Sequence, residues 1–114
     1  IAQVLKVHPL VAVIIDSEKC SEEDQIELKR VKFIEKCSTL DIPCHITNMR
    51  STDNYLSERA VKAACGANAR PLTPYEKLGD HGWGKRDSQK IASLMSVEEI
   101  EATDIITFIR SLET

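Results

Sequence analysis

Three short stretches of this chain carry side chains that could act together. Asp16-Ser17-Glu18 follows directly on the apolar run Leu10–Ile15. Alternate residues near a strand end point the same way, so both carboxylates share a side. Two carboxylates held together at a sheet edge repel unless a cation lies between them or one takes a proton. An oxygen-rich pair of this kind suits Mg²⁺ or Mn²⁺. The second stretch, Thr52-Asp53-Asn54-Tyr55-Leu56, holds one more acid. The third, Trp83-Gly84-Lys85-Arg86, sets two cations beside glycines, where a loop can approach phosphate. An acidic metal site next to a basic loop is what phosphodiester cleavage needs, since the metal activates water and the lysine neutralises phosphate charge. Each stretch alone has a plainer reading: loop acids, an N-cap at Asp53, and a solvated loop with Trp83 turned inward.

The elements that must position these residues follow from the hydropathy pattern. Leu10–Ile15 has no polar alternation, as expected of a strand covered on both faces. Ser21 and Asp24 resemble a capping box, predicting a helix from there to near Leu40. Its buried stripe would be Ile26, Val31, Ile34 and Cys37, with Phe33, and Glu22, Glu23 and Asp24 would suit its positive end. Asp41-Ile42-Pro43 reads as a turn and residues 44–47 as a second strand. Strand, long helix and strand predict a parallel pair with a right-handed crossover. Both strand ends then lie at one edge, where open α/β sheets bind ligands, and Asp53 can return to it.

Residues 55–65 read as a helix ended by Gly66, and residues 67–87 as a long irregular segment of the functional or disordered kind. Asp87 could cap a helix through Met95. Ser96 and Glu99 form a second capping box, and Thr103 could cap a last helix with Ile105, Ile106, Phe108, Ile109 and Leu112 on its apolar side. Residues 1–8 are expected to end an amphipathic helix, with Ile1, Val4 and Leu5 on one side and Pro9 as terminator.

At 114 residues the chain has room for one domain. It is 42% hydrophobic and 29% charged, a globular balance that argues against disorder. The formal charge of −3 argues against nucleic-acid binding over the whole surface but not at a local site. Residues 70–90 carry five basic and three acidic side chains, whereas residues 96–114 carry one basic and five acidic. No apolar run approaches the roughly 18 residues of a membrane span, so no membrane contact is expected. Cys20, Cys37, Cys44 and Cys65 lack paired metal-knuckle spacing, which predicts free thiols in a reducing cytoplasm. His45 reads as a packed strand residue and His81 as part of a turn. Aromatic residues are only 4%, too few for a base-stacking platform.

The ordered segments VAVIIDSE, KFIEKCSTLDIPCHIT, STDNYLSERAV, PYEKLGDHGWGK and TDIITFI resemble the TOPRIM nuclease domain of OLD-family ATP-dependent endonucleases. The resemblance spans roughly residues 10–112 and implies a Rossmann-like α/β fold with a helix-rich C-terminal half. It implies Mg²⁺ or Mn²⁺ held by Asp16, Glu18 and Asp53, with Lys85 at the scissile phosphate and Arg86 also on DNA. It further implies DNA endonuclease activity, an upstream ATPase domain and a role in defence against phage. Glu18 and Asp53 stand where the family more often has Asp and Glu, which changes each carboxylate's reach by one methylene. The family also carries a glutamate upstream of its D-x-D motif, and residues 1–15 contain no acid. The chain is therefore expected to be an excerpt whose glutamate and ATPase lie before Ile1, and to cleave poorly on its own. The competing expectation is a catalytically inactive interaction or dimerisation module that could form homo-oligomers. A receiver-like domain phosphorylated on Asp16 would need two further βα units that the pattern does not supply.

Overall fold

The strand that delivers Asp16 is buried over its last four residues. In the computed structural model, which describes residues 2–7 and 10–112, β1 is Ala2–Val7 and β2 is Leu10–Ile15. Ala12, Val13, Ile14 and Ile15 of β2 are all at most 4% exposed. Both faces are covered over that stretch, as its lack of alternation suggested, while Val11 near the start is 41% exposed. Helix α1 spans Leu28–Thr39 and β3 spans Cys44–Ile46. β3 pairs with β2 in parallel, Val13 opposite Cys44 and Ile15 opposite Ile46. The α/β character and the parallel pair stand as expected.

Two expectations fail. Residues 2–7 form a strand rather than the end of a helix. β1 runs antiparallel to β2, from Ala2 opposite Ile15 to Val7 opposite Leu10, so the sheet is mixed with order β1-β2-β3. Six residues paired along the free edge of β2 outweigh a helical period read from three apolar positions. Ile1 and the proposed terminator Pro9 lie outside the described residues. The second failure is at α1, which starts at Leu28 instead of following Ser21. The Asp24 carboxylate accepts the N–H groups of Cys20 and Gln25, both at 2.9 Å, and the Asp24 N–H donates to the Ser21 carbonyl. These local bonds offer the backbone a turn in place of a helix. Of the expected stripe only Cys37 is buried, Val31 and Ile34 are half-buried, and Phe33 is 37% exposed.

The second half builds its own small core beneath the long irregular segment. A turn of 3-10 helix spans Thr52–Tyr55, and α2 spans Glu58–Cys65. Leu56, Ala60 and Val61 pack with Ala69, Leu72, Trp83 and Ile91. The Trp83 indole N–H donates to the Arg70 carbonyl at 2.8 Å, which ties the segment's far end back to its start. Gly82 has φ +87°, and a Cβ there would stand 3.0 Å from the Ala69 Cα, so this close crossing needs glycine. Residues 67–87 are thus an ordered wall rather than a slack loop. Short helices α3 (Ser88–Ser93), α4 (Val97–Glu101) and α5 (Asp104–Ser111) follow. The caps at Ser96 and Thr103 form as read: the Ser96 hydroxyl accepts from Glu99 N–H, and the Thr103 hydroxyl accepts from Ile106 N–H. Cys20, Cys37, Cys44 and Cys65 are all free. Among the described residues no helix is long and apolar enough to cross a membrane.

Candidate functional site

Where β2 and β3 end, hydroxyl groups bind the two strands together. The Ser17 N–H donates to Thr47 Oγ1 at 3.1 Å, and both hydroxyls donate to the Met49 carbonyl at 2.8 and 2.7 Å. This fixes the backbone that carries Asp16. The Asp16 side chain is buried, with the Thr52 N–H donating to Oδ1 at 3.3 Å. Burial pushes its carboxyl above the ordinary range, against the pull of that N–H. Arg30 supports the position from behind by donating to the Asp16 carbonyl at 3.1 Å.

Glu18 sits at φ +57°, an unusual conformation for a residue with a side chain. Arg50 holds it there. The Arg50 guanidinium donates to the Glu18 carbonyl at 3.0 Å, the Lys19 carbonyl at 3.3 Å and Glu18 Oε2 at 2.9 Å. The Glu18 N–H in turn donates to the Arg50 carbonyl at 2.8 Å.

Asp53 comes in on the 3-10 turn and is 7% exposed. Its Oδ2 accepts from Lys85 Nζ at 2.7 Å, although the lysine side chain is 67% exposed. Asn54 brings this turn to the wall, since its Nδ2 donates to the carbonyls of Thr73 and Glu76 at 2.8 and 2.9 Å.

A cleft of about 260 Å³ opens between these groups. Asp16, Glu18, Asp53 and Glu76 line it with acid, and Arg50, Lys77 and Lys85 line it with base. The sequence-predicted Asp16, Glu18, Asp53 and Lys85 all reach this one cleft. They do not converge tightly: among the described residues, no three His, Cys, Asp or Glu side chains stand close enough to hold a metal ion. Glu18 and Asp53 each face a cation of the chain itself; among the described residues no ion pair reaches Asp16, although the positive charge of Lys85 also pulls on its carboxyl. Arg86 lies outside the cleft, exposed and, among the described residues, without an ion pair.

Compared with protein-family models, curated proteins and solved structures, the chain matches none.

Arg50, Asn54 and Glu76 were not singled out by sequence reasoning. The T-D-N-Y neighbourhood carried a signal for Asn54, because asparagine beside a turn often bonds to backbone. Glu76 had none, since its role depends on the fold. It takes the Arg70 fork at 3.2 and 3.1 Å and the Thr73 N–H at 3.1 Å. The Gly79 N–H donates to His81 Nδ1 at 3.1 Å, so a neutral His81 ring carries its proton on Nε2, which lies 2.9 Å from Glu76 Oε2. The Arg70 fork above all, with Thr73 and His81, holds the Glu76 carboxyl down at about 2. A depressed carboxyl stabilises the fold above its unfolded value and loses that contribution as pH falls through the folded one. Between pH 4.5 and about 2, Glu76 therefore contributes a decline in stability. Glu76→Gln should make acid denaturation, followed by circular dichroism, less steep in that window. An unchanged profile would contradict it.

Behind the cleft, Asp104 at the start of α5 fastens the last helix to the sheet. It accepts from the Tyr55 hydroxyl, from Asn48 N–H at 3.2 Å, and lies 2.5 Å from His45 Nε2. Burial pushes the Asp104 carboxyl up, but Tyr55, His45 and Asn48 together bring it below the ordinary range. The His45 ring stacks on Phe108, with centroids 5.1 Å apart. His45 is a packed residue, as its strand position suggested.

Proposed function

We propose that this cleft belongs to a metal-dependent DNA phosphodiesterase of the TOPRIM, OLD-family kind, working within a longer chain that carries an ATPase domain. The observation that supports it most is the gathering of Asp16, Glu18, Asp53 and Lys85 around one cleft at the carboxyl edge of the parallel strands. Their donor chemistry suits Mg²⁺ or Mn²⁺. All three acids offer hard carboxylate oxygens, and buried Asp16 makes no ion pair among the described residues. Asp16 would anchor the cation, and Asp53 and Glu18, which do not stand close enough to share it as they are now placed, would have to turn from Lys85 and Arg50 to complete its acid ligands. Bound there, a divalent ion would acidify water and offset charge on the phosphate. Lys85, the exposed partner of the Asp53 bridge, neutralises the phosphate.

Lys85 and the metal compete for Asp53. Lys85→Ala should therefore tighten Mn²⁺ binding about two- to fivefold, the scale of an exposed ion pair, while weakening cleavage. Calorimetric titration reads the first effect, and an unchanged or lower affinity would count against the competition. The function itself is tested by nicking of supercoiled plasmid with Mg²⁺ or Mn²⁺ by the longer enzyme. Asp16→Ala should abolish nicking, and full activity in that variant would sink the assignment.

One observation favours the non-catalytic module instead. Glu18 and Asp53 are already paired with Arg50 and Lys85, so the cleft can satisfy most of its charges without a metal. On that reading Mn²⁺ does not bind, even at millimolar concentration.

A further inference from the structure

A second depression of about 420 Å³ adjoins the acidic cleft and shares the Asp53–Lys85 bridge with it. Its lining differs in kind. Asp53 is its one acid and is already taken by Lys85, which leaves Arg86 as unopposed positive charge. Around Arg86 stand exposed Gln3 and Gln89, whose carboxamides make no hydrogen bond among the described residues, and Ser88, whose hydroxyl is buried there without a partner. Leu56 and Ala92 supply a small apolar floor.

We propose that this depression holds the nucleotide adjoining the scissile phosphate, which rests on the phosphodiesterase reading of the neighbouring cleft. A guanidinium presents a planar fork that matches phosphate oxygens. Carboxamides and a hydroxyl pair with sugar and base edges, as in most contacts of proteins with nucleic acid. The apolar floor takes the face of the sugar. A strand lying across the Lys85–Asp53 bridge then meets Arg86 on one side and the acidic cleft on the other. No aromatic ring lines the depression, so the site holds a strand through its backbone and polar edges rather than by stacking.

The test is fluorescence-anisotropy titration of a single-stranded oligodeoxynucleotide by the full 114-residue chain in EDTA. With no divalent metal present, the result is independent of cleavage. Arg86→Ala should weaken binding about five- to tenfold, as expected for a lost charged hydrogen bond. The slope of log K against log salt should shrink by about 0.7, one phosphate contact on a single strand. Gln89→Ala should weaken binding about two- to threefold, in the range of one neutral hydrogen bond, with the slope unchanged. Lys32→Ala on exposed α1 is the charge-matched control and should bind like wild type. Three results would each overturn the proposal: no binding by wild type, equal weakening in the Arg86 and Lys32 variants, or equally tight binding of inorganic polyphosphate, which would leave only a bare anion site. Each would leave the metal reading standing on the plasmid assay. Loss of plasmid nicking as a property of the enzyme would remove the metal reading without touching the titration.

Discussion

Replacing Asp16 with asparagine is expected to make the chain more stable at neutral pH while abolishing the metal-dependent cleavage proposed for the cleft. Asp16 lies buried beside Thr52 N–H and makes no ion pair among the described residues, and burial pushes its carboxyl up against the pull of that N–H and of the Lys85 charge. A raised acid favours the folded state fully below its unfolded value of 3.8 and loses that contribution as pH rises through the folded value. At pH 7 the wild type therefore carries an unfavourable buried charge. Asparagine removes the charge and keeps an oxygen for the Thr52 N–H. The gain should be about 0.5–2 kcal/mol, the usual yield of relieving a functional site. It should appear in urea denaturation at pH 7 and vanish below pH 3.8. Nicking by the longer enzyme should fall by about 100-fold or more, beyond the loss usual for supporting residues of a metal site. A variant less stable than wild type at pH 7 would show that the Asp16 charge is satisfied by the fold itself.

The largest loss of stability is expected at Arg50. This guanidinium is 9% exposed and bonds Glu18 twice, through carbonyl and carboxylate, and Lys19 once. It is the clamp that keeps Glu18 at positive φ. Arg50→Ala would strand two carbonyls and one carboxylate in a site that is largely closed to water. Breaking a mostly buried pair of this kind costs about 2–4 kcal/mol, a large share of the 5–15 kcal/mol typical of a domain. Arg50→Lys should recover little, since an ammonium cannot present the same fork. Glu18→Gln should be mild by comparison, because a carboxamide oxygen can still accept. The midpoint and slope of urea unfolding measure all three, and a wild-type midpoint for Arg50→Ala would refute the clamp.

What the sequence revealed and what it hid follow from the range of the forces involved. Leu10–Ile15 was legible because a strand buried on both faces needs an unbroken apolar run. The caps at Ser96 and Thr103 were legible because each is a bond across three residues. The meeting of Asp16 and Asp53 followed from the topology of two parallel strands, whereas Lys85 was placed beside them by the family resemblance and not by any pattern of its own. The false helix at residues 1–8 shows the limit of short periodic windows: the edge of β2 that pairs with it lies outside the window that suggested a helix. The late start of α1 has a local cause, since Asp24 turned back to Cys20 N–H rather than capping forward. Arg50 and Glu76 were hidden because their partners are backbone groups and side chains brought close only by the folded wall of residues 67–87. Depth within the site was equally hidden, as spacing says which acids share an edge but not that Arg50 and Lys85 already occupy two of them.

The central claim is that Asp16 anchors a divalent cation in this cleft, and Mn²⁺ titration followed by electron paramagnetic resonance tests it most directly. The free-ion signal should fall as wild-type chain is added, with one ion taken up per chain, and should remain at full strength when Asp16→Asn is added at the same concentration. Identical titrations for wild type and Asp16→Asn, whether both bind or neither does, would contradict the account.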